Sequence, residues 1–242
     1  MFDWIKEKYG YLDKDSVRFR TGSPNPIIRF ENFLPETTAY KLYYESQSIP
    51  NAYWKTFDRN GSHMKELNNI ELMPIGFELM NYLHSTSFLS YLTALTGIER
   101  LIPDPHLIGA GYSKSYNGDT LQIHTDFNWN NELSLHRALS LIIYITPEWK
   151  AEYGGALSFL DRNRQEEIYK ADCLFNSALL WRHGKYTFHG YKDPIQCPEY
   201  LSRNTFRIFY YVSSSEYDPN DPPHRSLYWY DEKLNEPIDI KK

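Results

Sequence analysis

The sequence has few of the features that mark secreted, membrane or nucleic-acid-binding proteins. Its two cysteines, Cys173 and Cys197, are too few for a disulfide framework or a thiolate zinc site. No apolar run reaches the length of a membrane span, and the N-terminus has no stretch of signal-peptide length. The net charge is −5, so there is no general basic surface for binding phosphates. We therefore expect a cytoplasmic protein without a membrane or nucleic-acid partner.

Internal repeats, low-complexity tracts and Gly/Ser linkers are also missing. We therefore expect one compact domain, which is ordinary for 242 residues. Aromatic residues, by contrast, make up 17% of the chain and include 21 tyrosines, which favours a β-rich fold.

In the first half, Phe33-Leu34-Pro35 is typical of a turn leading into a helix. Apolar residues at three- and four-residue steps from Phe77 to Leu95 predict a second helix, which Gly97 ends.

From about residue 105 the apolar pattern changes to alternation and short runs, which indicate strands. The predicted strands cover 106–113, 120–126, 138–145, 155–160, 173–182, 185–189 and 203–212. Short strands at this spacing are typical of a sandwich or barrel, here covered by the N-terminal helices. We divide the chain into an N-terminal helical elaboration (1–100), a β core (101–215) and a C-terminal extension (216–242), all within a single compact domain.

Two short motifs at the ends of predicted strands carry metal-binding residue types. His124 and Asp126 are two residues apart, so they point to the same face of a strand. His189 follows 63 residues after Asp126, at the end of another apolar strand. Two histidines and one carboxylate form the facial triad of non-haem iron(II) enzymes, which leaves open positions on the metal. The same ligands can bind zinc with a hydrolytic water, so they do not decide the metal.

Arg203 and Thr205 open the last predicted strand and share one face of it. An inward-facing arginine in a small barrel is costly unless it meets an anion. A guanidinium pairs with a carboxylate through two hydrogen bonds, and a neighbouring hydroxyl adds a third. This pair suits the distal carboxylate of 2-oxoglutarate, with Arg207 as an in-register competitor for the role.

Five stretches, in this order and spacing, resemble the prolyl-4-hydroxylase-like branch of the 2-oxoglutarate/iron(II) dioxygenases. They are YNGDTLQIHTDFN (116–128), RALSLIIYITPEW (137–149), YGGALSFLD (153–161), FNSALLWR (175–182) and YTFHGYKDPIQCPEYLSRNTFRIFYY (186–211). The resemblance covers about residues 105–212. The 14-residue step from His189 to Arg203 is similar to that of one bacterial and phage-like subgroup.

The resemblance implies a double-stranded β-helix (a jelly-roll, cupin-like core) below N-terminal helices. It implies His124, Asp126 and His189 as iron(II) ligands and Arg203 as the 2-oxoglutarate anchor, helped by Thr205. Tyr116 resembles a family tyrosine that lines the co-substrate pocket. The implied enzyme hydroxylates an unactivated carbon with O2, releases succinate and CO2, and can use ascorbate as a reductant. Its implied substrate is a protein, peptide or small molecule, and a peptidyl proline is the modification of its best-known relatives.

Two other functions remain open on the sequence: a zinc hydrolase with the same triad, and a non-catalytic metal-binding or scaffold protein that keeps the barrel. Asn128 can face the pocket or satisfy a turn. The sequence assigns the remaining polar and aromatic candidates to packing, to the surface or to no role: Tyr144 and Trp181 to packing, His136 and Arg137 to the surface, and His183 to none.

Overall fold

The computed structural model describes residues 12–22, 25–213 and 221–228. Its helices are α1 (Leu12–Arg20), α2 (Glu36–Ser48), α3 (Pro74–Leu83) and α4 (Thr86–Thr96), with short 3-10 turns at Asn51–Tyr53, Ile70–Leu72 and Ala151–Tyr153. Its strands are β1 (Ile27–Phe30), β2 (Lys55–Arg59), β3 (Ser62–Leu67), β4 (Ile102–Pro103), β5 (Gly111–Ser115), β6 (Leu121–Thr125), β7 (Trp129–Asn130), β8 (Leu135–Tyr144), β9 (Leu157–Leu160), β10 (Glu167–Ala171), β11 (Ala178–Arg182), β12 (His189–Tyr191), β13 (Arg203–Ser213) and β14 (Leu227–Tyr228). None of these helices is long and apolar enough to cross a membrane.

The strands form two antiparallel sheets. The larger sheet has the order β1-β11-β8-β13-β5-β3-β2, with β4 added beside β13 and β7 beside β8. The smaller sheet has the order β10-β9-β12-β6-β14. Mainly antiparallel β-structure with helices in the N-terminal part confirms the predicted fold class, a double-stranded β-helix.

The helices cover one face of the larger sheet. Side chains alternate between the two faces of a strand, and on β13 the residues Phe206, Ile208 and Tyr210 point to the helix side. They are almost completely buried in a large apolar cluster that includes Leu79 and Leu83 of α3. This core fixes the larger sheet, so that its other face can carry polar groups.

The opposite face of the larger sheet meets the smaller sheet. A second, smaller cluster lies between them and includes Ile142, Leu157, Phe159 and Trp181. On β13 this face carries Arg203, Thr205, Arg207 and Phe209. The chemistry predicted from the sequence therefore lies inside the barrel, between the two sheets.

Several predicted boundaries differ from the structure. The single helix predicted from Phe77 to Leu95 is two helices, because the hydroxyl of Ser85 accepts a hydrogen bond from the backbone N–H of Phe88 and starts α4. Gly97 ends α4 as predicted. The segment 185–189 is not a strand; β12 begins at His189 instead.

The region predicted as helical also contains strands β1, β2 and β3, all of which join the larger sheet. The hairpin of β2 and β3 has Asn60-Gly61 as its two-residue turn, and both residues have positive φ angles. Asn-Gly is a strong sequence signal for a two-residue hairpin turn, and it was overlooked. Strand β10 was overlooked as well.

Candidate metal and co-substrate site

A cavity of about 330 Å³ opens between the two sheets and is lined by residues from both. From the larger sheet come Ser113, Ser115, Arg137, Ile142, Trp181, Arg203, Thr205, Arg207 and Phe209, together with Phe57, Arg59, Met64 and Glu66 of the β2–β3 hairpin. From the smaller sheet and its loops come Leu121, His124, Asp126, Phe127, Leu157, His189, Tyr191, Ser226 and Tyr228. The predicted ligands and the predicted anchor thus share one cavity.

The structure brings His124, Asp126 and His189 together. One nitrogen or oxygen atom from each of them lies within 4.8 Å of the others. His124 lies on β6 and pairs directly with His189 on the neighbouring β12, so the two rings are 4.7 Å apart between centroids. Asp126 lies one residue beyond the end of β6, and its carboxylate oxygens are 3.3 Å from Nε2 of His124 and 3.7 Å from Nε2 of His189.

The backbone fixes the tautomer of both histidines. Nδ1 of His124 is 2.7 Å from the carbonyl oxygen of Gln122, and Nδ1 of His189 is 2.9 Å from that of Thr187. A carbonyl oxygen only accepts hydrogen bonds, so each Nδ1 carries the proton. Each Nε2 is left free of the backbone and faces Asp126, so it is the ring atom available to a metal. Burial lowers the pKa of His189 to about 4, which keeps this ring neutral.

Gly190, between His189 and Tyr191, allows β12 to approach β6 closely. A Cβ atom there would lie 2.5 Å from the carbonyl oxygen of Leu121, closer than side chains come. The strand predicted from the sequence ends at His189. The structure shows that Gly190 continues β12, and the glycine keeps the two ligand-bearing strands in contact.

Arg137 is a residue of this site that the sequence analysis wrongly placed at the surface. It is 2% exposed, because β8 begins at Leu135 and carries Arg137 into the barrel. Its guanidinium lies 3.3 Å from Oδ2 of Asp126 and 3.4 Å from the ring centroid of Phe209. Burial acts to raise the pKa of Asp126, but Arg137 and the two neighbouring histidines outweigh it and hold that pKa well below its usual range.

Arg137, which contacts Asp126, is itself held by a second pair of buried side chains, Ser140 and His183. Arg137 donates a hydrogen bond to the Ser140 hydroxyl at 3.0 Å, and Ser140 lies 2.6 Å from Nε2 of His183. His183, unassigned from the sequence, is buried, and its Nε2 is 3.9 Å from Oδ2 of Asp126. Burial, with a contribution from Arg137, lowers the pKa of His183 well below its usual value. His136, also predicted at the surface, is buried too.

Arg203 is buried and lies at the other side of the cavity. Its Nε donates to the carbonyl oxygen of Gly155 at 2.9 Å, and its guanidinium lies about equally far from the rings of Tyr144 and Tyr191. No carboxylate of the described residues lies within ion-pair distance of it. Gly155 is required beneath it, because a Cβ atom there would lie 2.7 Å from Cδ of Arg203 and the φ angle is +71°.

The hydroxyl of Tyr144 is buried and has no hydrogen-bond partner among the residues that the structure describes. The Tyr144 ring centroid is 5.1 Å from the Arg203 guanidinium. A buried hydroxyl without a partner is costly, and a ligand that accepts from it would remove that cost. Tyr144 was predicted to be a packing residue, and it packs in the cluster between the two sheets without lining the cavity.

Thr205 lines the cavity as expected, and its hydroxyl is 2.6 Å from that of Ser113 on β5. Tyr116 is not among the residues that line the cavity. It is half-buried beside the Lys65 ammonium, and its backbone N–H donates to Asp119. The tyrosine that lines the cavity near Arg203 is Tyr191, whose hydroxyl donates to Ser115 at 2.9 Å. A role of Tyr116 in co-substrate binding stays a prediction.

The C-terminal segment 221–228 also reaches the site. Asn128, 1% exposed, accepts a hydrogen bond from the backbone N–H of His224 and donates to the carbonyl oxygen of Pro222. Strand β14 then pairs with β6, and the ring of Tyr228 lies over His124 at 5.7 Å between centroids. Asn128 therefore holds this segment in place, and the segment closes one wall of the cavity.

The comparisons with known proteins agree with this geometry. Residues 110–211 match a protein-family model described as the 2OG-Fe(II) oxygenase superfamily. This range contains the three clustered ligands and both Arg203 and Thr205. A search of curated proteins gave no significant match.

Solved structures with the same fold include two prolyl hydroxylases. One, from Trichoplax adhaerens in complex with a hypoxia-inducible-factor peptide, has a TM-score of 0.61 at 16% identity and covers 88% of this chain and 97% of its own. The Pseudomonas putida prolyl-4-hydroxylase has a TM-score of 0.53 at 11% identity and covers 82% of this chain and 98% of its own. HygX from Streptomyces hygroscopicus, with nickel and 2-oxoglutarate bound, has a TM-score of 0.56 at 9% identity and covers 88% and 97%.

Proposed function

We propose that this chain is a prolyl-4-hydroxylase-like 2OG-Fe(II) oxygenase that hydroxylates an unactivated carbon of a peptide substrate, at proline. Residues 110–211 match the model of that superfamily, and the fold is similar to that of a prolyl hydroxylase. The observation that carries the proposal is the shared cavity. Two histidines and a carboxylate converge at one side of it, and a buried arginine without a carboxylate partner in the described chain lies at the other.

The residues present fit iron(II). His124 and His189 would each supply Nε2, and Asp126 would supply one carboxylate oxygen, which is the ligand set of non-haem iron(II) oxygenases. When bound with 2-oxoglutarate and O2, the metal supplies the oxidising chemistry that breaks a C–H bond, and the co-substrate leaves as succinate and CO2. Arg137 holds Asp126 ionised and oriented, so one carboxylate oxygen stays available for coordination.

The other side of the cavity fits the distal carboxylate of 2-oxoglutarate. Arg203 would bind it through its terminal nitrogens, because Nε already donates to the carbonyl oxygen of Gly155 and the only side-chain hydrogen-bond partner beside them in the described chain is the weakly bonding thiol of Cys173. Thr205, which lines the cavity on the same strand face, offers one more hydroxyl near that position. Ile142, Leu157 and Trp181 form apolar walls that exclude water from the space between anchor and triad.

The substrate assignment is supported by what the structural relatives are described as doing. Two of them are prolyl hydroxylases, and one of these was solved with a peptide. A small-molecule substrate is the second candidate, because one fold can carry sites for different substrates. O2 as second co-substrate and ascorbate as reductant belong to the same proposal.

The test is iron-dependent conversion of 2-oxoglutarate to succinate. Anaerobically purified protein is mixed with iron(II), 2-oxoglutarate, ascorbate and air, with and without proline-containing peptides, and succinate is followed by mass spectrometry. His124→Ala should abolish turnover, since a ligand is lost. The matched control is His84→Gln, a substitution of a half-buried histidine on the helix side of the larger sheet, which should leave turnover intact.

Other outcomes would support other functions. Zinc in the purified protein, together with no binding of 2-oxoglutarate, would favour a hydrolase. Metal binding without 2-oxoglutarate binding or turnover would favour a scaffold. Succinate formation without any response to proline peptides would keep the reaction and reject proline as the target.

A further inference from the structure

We propose that the substrate carries an anionic group, a carboxylate, next to the carbon that is hydroxylated, and that Arg207 and Arg59 bind this group. This inference rests on the proposed function and specifies its substrate class. It comes from the charges that line the cavity and from the position of a second arginine on the same strand face as Arg203.

The charges in the cavity do not balance. Among the described residues, the lining contains the four arginines Arg59, Arg137, Arg203 and Arg207 against the two carboxylates Glu66 and Asp126. Iron(II) and 2-oxoglutarate carry opposite charges of equal size, so the loaded cavity keeps an excess of two positive charges. The chain as a whole has a net charge of −5. A cationic cleft in an acidic protein concentrates anions at that place rather than over the whole surface.

Two of the four arginines have a defined task already. Arg137 neutralises Asp126 from a buried position, and Arg203 faces the co-substrate side. The other two lie on the side of the β2–β3 hairpin. Arg59 is exposed at the end of β2 and forms no ion pair with a described residue, whereas the triad histidines are buried. The cavity therefore runs from solvent at the hairpin to the triad, and a substrate passes these arginines on its way in.

Arg207 is built into the cavity wall. It lies four residues after Arg203 on β13, so the two side chains share a face, roughly 13 Å apart along the strand. One terminal nitrogen of Arg207 is 2.6 Å from Oε1 of Glu66, and its Nε is buried without a hydrogen-bond partner in the described chain. The other terminal nitrogen meets only the weak acceptor Sδ of Met64, at 3.8 Å. Glu66 therefore occupies one of the three nitrogens of this guanidinium, and the other two have no strong acceptor among the described residues.

The surroundings of Arg207 are apolar. Phe57 and Met64 of the hairpin and Phe209 of β13 line the same part of the cavity. An acidic group bound by Arg207 would thus place a neighbouring apolar group against these side chains, on the path to the triad. The cavity, about 330 Å³ in volume, has to hold the co-substrate as well, so only a part of a peptide substrate enters it.

The carboxylate can be a substrate's terminal carboxylate or an acidic side chain, and two probe pairs separate these sources. N-acetylproline and its amide differ only in a terminal charge. N-acetyl-glutamyl-prolinamide and the glutaminyl analogue differ only in a side-chain charge. Binding of each probe is measured by ligand-detected NMR on protein loaded with manganese(II) and saturating 2-oxoglutarate, so that Arg203 is occupied. We expect the charged member of at least one pair to bind about tenfold more tightly than its neutral partner.

Substitutions at the ion pair show whether Arg207 carries this preference. Arg207→Gln should reduce the affinity for the charged probe about tenfold, while Glu66→Gln should increase it several-fold, because the competing carboxylate is removed. A merely structural ion pair would give the same loss in both variants. Arg59→Gln should cost a few-fold, in a salt-sensitive way, because this arginine is exposed. Arg162→Gln, an exposed arginine outside the cavity lining, is the control and should change nothing.

Equal binding of charged and neutral probes in both pairs would overturn the proposal, as would parallel losses in Arg207→Gln and Glu66→Gln. The binding assay does not depend on turnover. If the protein fails to bind 2-oxoglutarate, the proposed function fails. In that case, the affinities of the charged and neutral probes are compared in the Arg203→Gln variant without co-substrate. Tighter binding of the charged probe would support the inference, and equal binding would overturn it.

Discussion

The two faces of strand β13 differ completely in chemistry although they belong to the same eleven residues. The helix side carries Phe206, Ile208 and Tyr210, which pack into the large apolar core. The cavity side carries Arg203, Thr205 and Arg207. Because side chains alternate along a strand, one element can anchor the fold with every second residue and build a binding site with the residues between.

The two faces also differ in how their polar groups are satisfied. On the helix side, the Tyr210 hydroxyl donates to the carbonyl oxygen of Leu83, and Nε2 of His84 is a buried atom without a partner in the described chain. On the cavity side, four buried polar atoms have no partner in the described chain: the Tyr144 hydroxyl and Nε1 of Trp181, together with Nε of Arg137 and Nε of Arg207. Buried polar groups are normally paired, so their concentration around a cavity indicates a surface prepared for ligands. The comparison predicts that substitutions on the helix side change stability and those on the cavity side change binding.

The largest effect is expected from adjacent residues of β13. Phe206→Ala should lower the free energy of unfolding by about 3–5 kcal/mol, because a fully buried ring is removed from the helix-side core. Thr205→Val, on the cavity side, should cost less than about 1.5 kcal/mol, the worth of one hydrogen bond to Ser113. Urea unfolding of both variants measures this difference. Similar losses of stability would contradict the division of β13 into a stabilising face and a binding face.

Next in size is the loss of the co-substrate anchor. Arg203→Gln should raise the 2-oxoglutarate dissociation constant about 10- to 100-fold, because a bidentate ionic contact is replaced by a weaker one. Calorimetric titration of manganese-loaded protein gives this constant. Arg207→Gln is the matched control on the same strand face and should leave it within a few-fold. The reverse order of the two effects would assign the anchor to Arg207.

The support of Asp126 should matter for the metal. Arg137→Lys keeps the charge but loses the planar geometry that reaches both Asp126 and Ser140. We expect metal affinity to fall about tenfold, the lower end for residues that orient a ligand. Cobalt(II) titration followed by tryptophan fluorescence suits this test, because the ring centroids of Trp181 and His189 are 5.2 Å apart. Unchanged affinity in the folded variant would leave Arg137 with a packing role alone.

The last prediction is a pH dependence of stability on the helix side. Burial lowers the pKa of His84 to about 4, and its Nε2 has no partner in the described chain. In the unfolded chain this histidine has a pKa near 6.5, so below that pH the unfolded state binds a proton that the folded state does not. The His84 contribution is therefore fully present above about pH 6.5 and is lost as the pH falls toward 4. Unfolding of metal-free His84→Gln should show a shallower loss of stability over this range than the parent protein.

The sequence pattern predicts the secondary structure of the core more accurately than that of residues 1–100. In the core, period-two alternation and five ordered motifs were sufficient to predict the fold class and to name five residues that the cavity brings together: His124, Asp126, His189, Arg203 and Thr205. In residues 1–100, the same approach overlooked β1, β2 and β3. These strands are short, and β2 is largely exposed, so their apolar pattern is weak. The Asn60-Gly61 turn is the main sequence signal for β2 and β3, and β1 is recognisable only from its pairing with β11.

The sequence by itself determined which residues are spaced for metal and anion binding, because strand alternation is a local property. It determined that His124 and Asp126 lie together and that Arg203 and Thr205 share a face. Only the tertiary structure decided which distant residues complete the site. Arg137, Ser140 and His183 form one buried network with Asp126, and the segment 221–228 closes a wall over His124. These contacts join residues separated by up to about a hundred positions, and which strand pairs with which is set by the packing of the whole barrel, not by any local pattern.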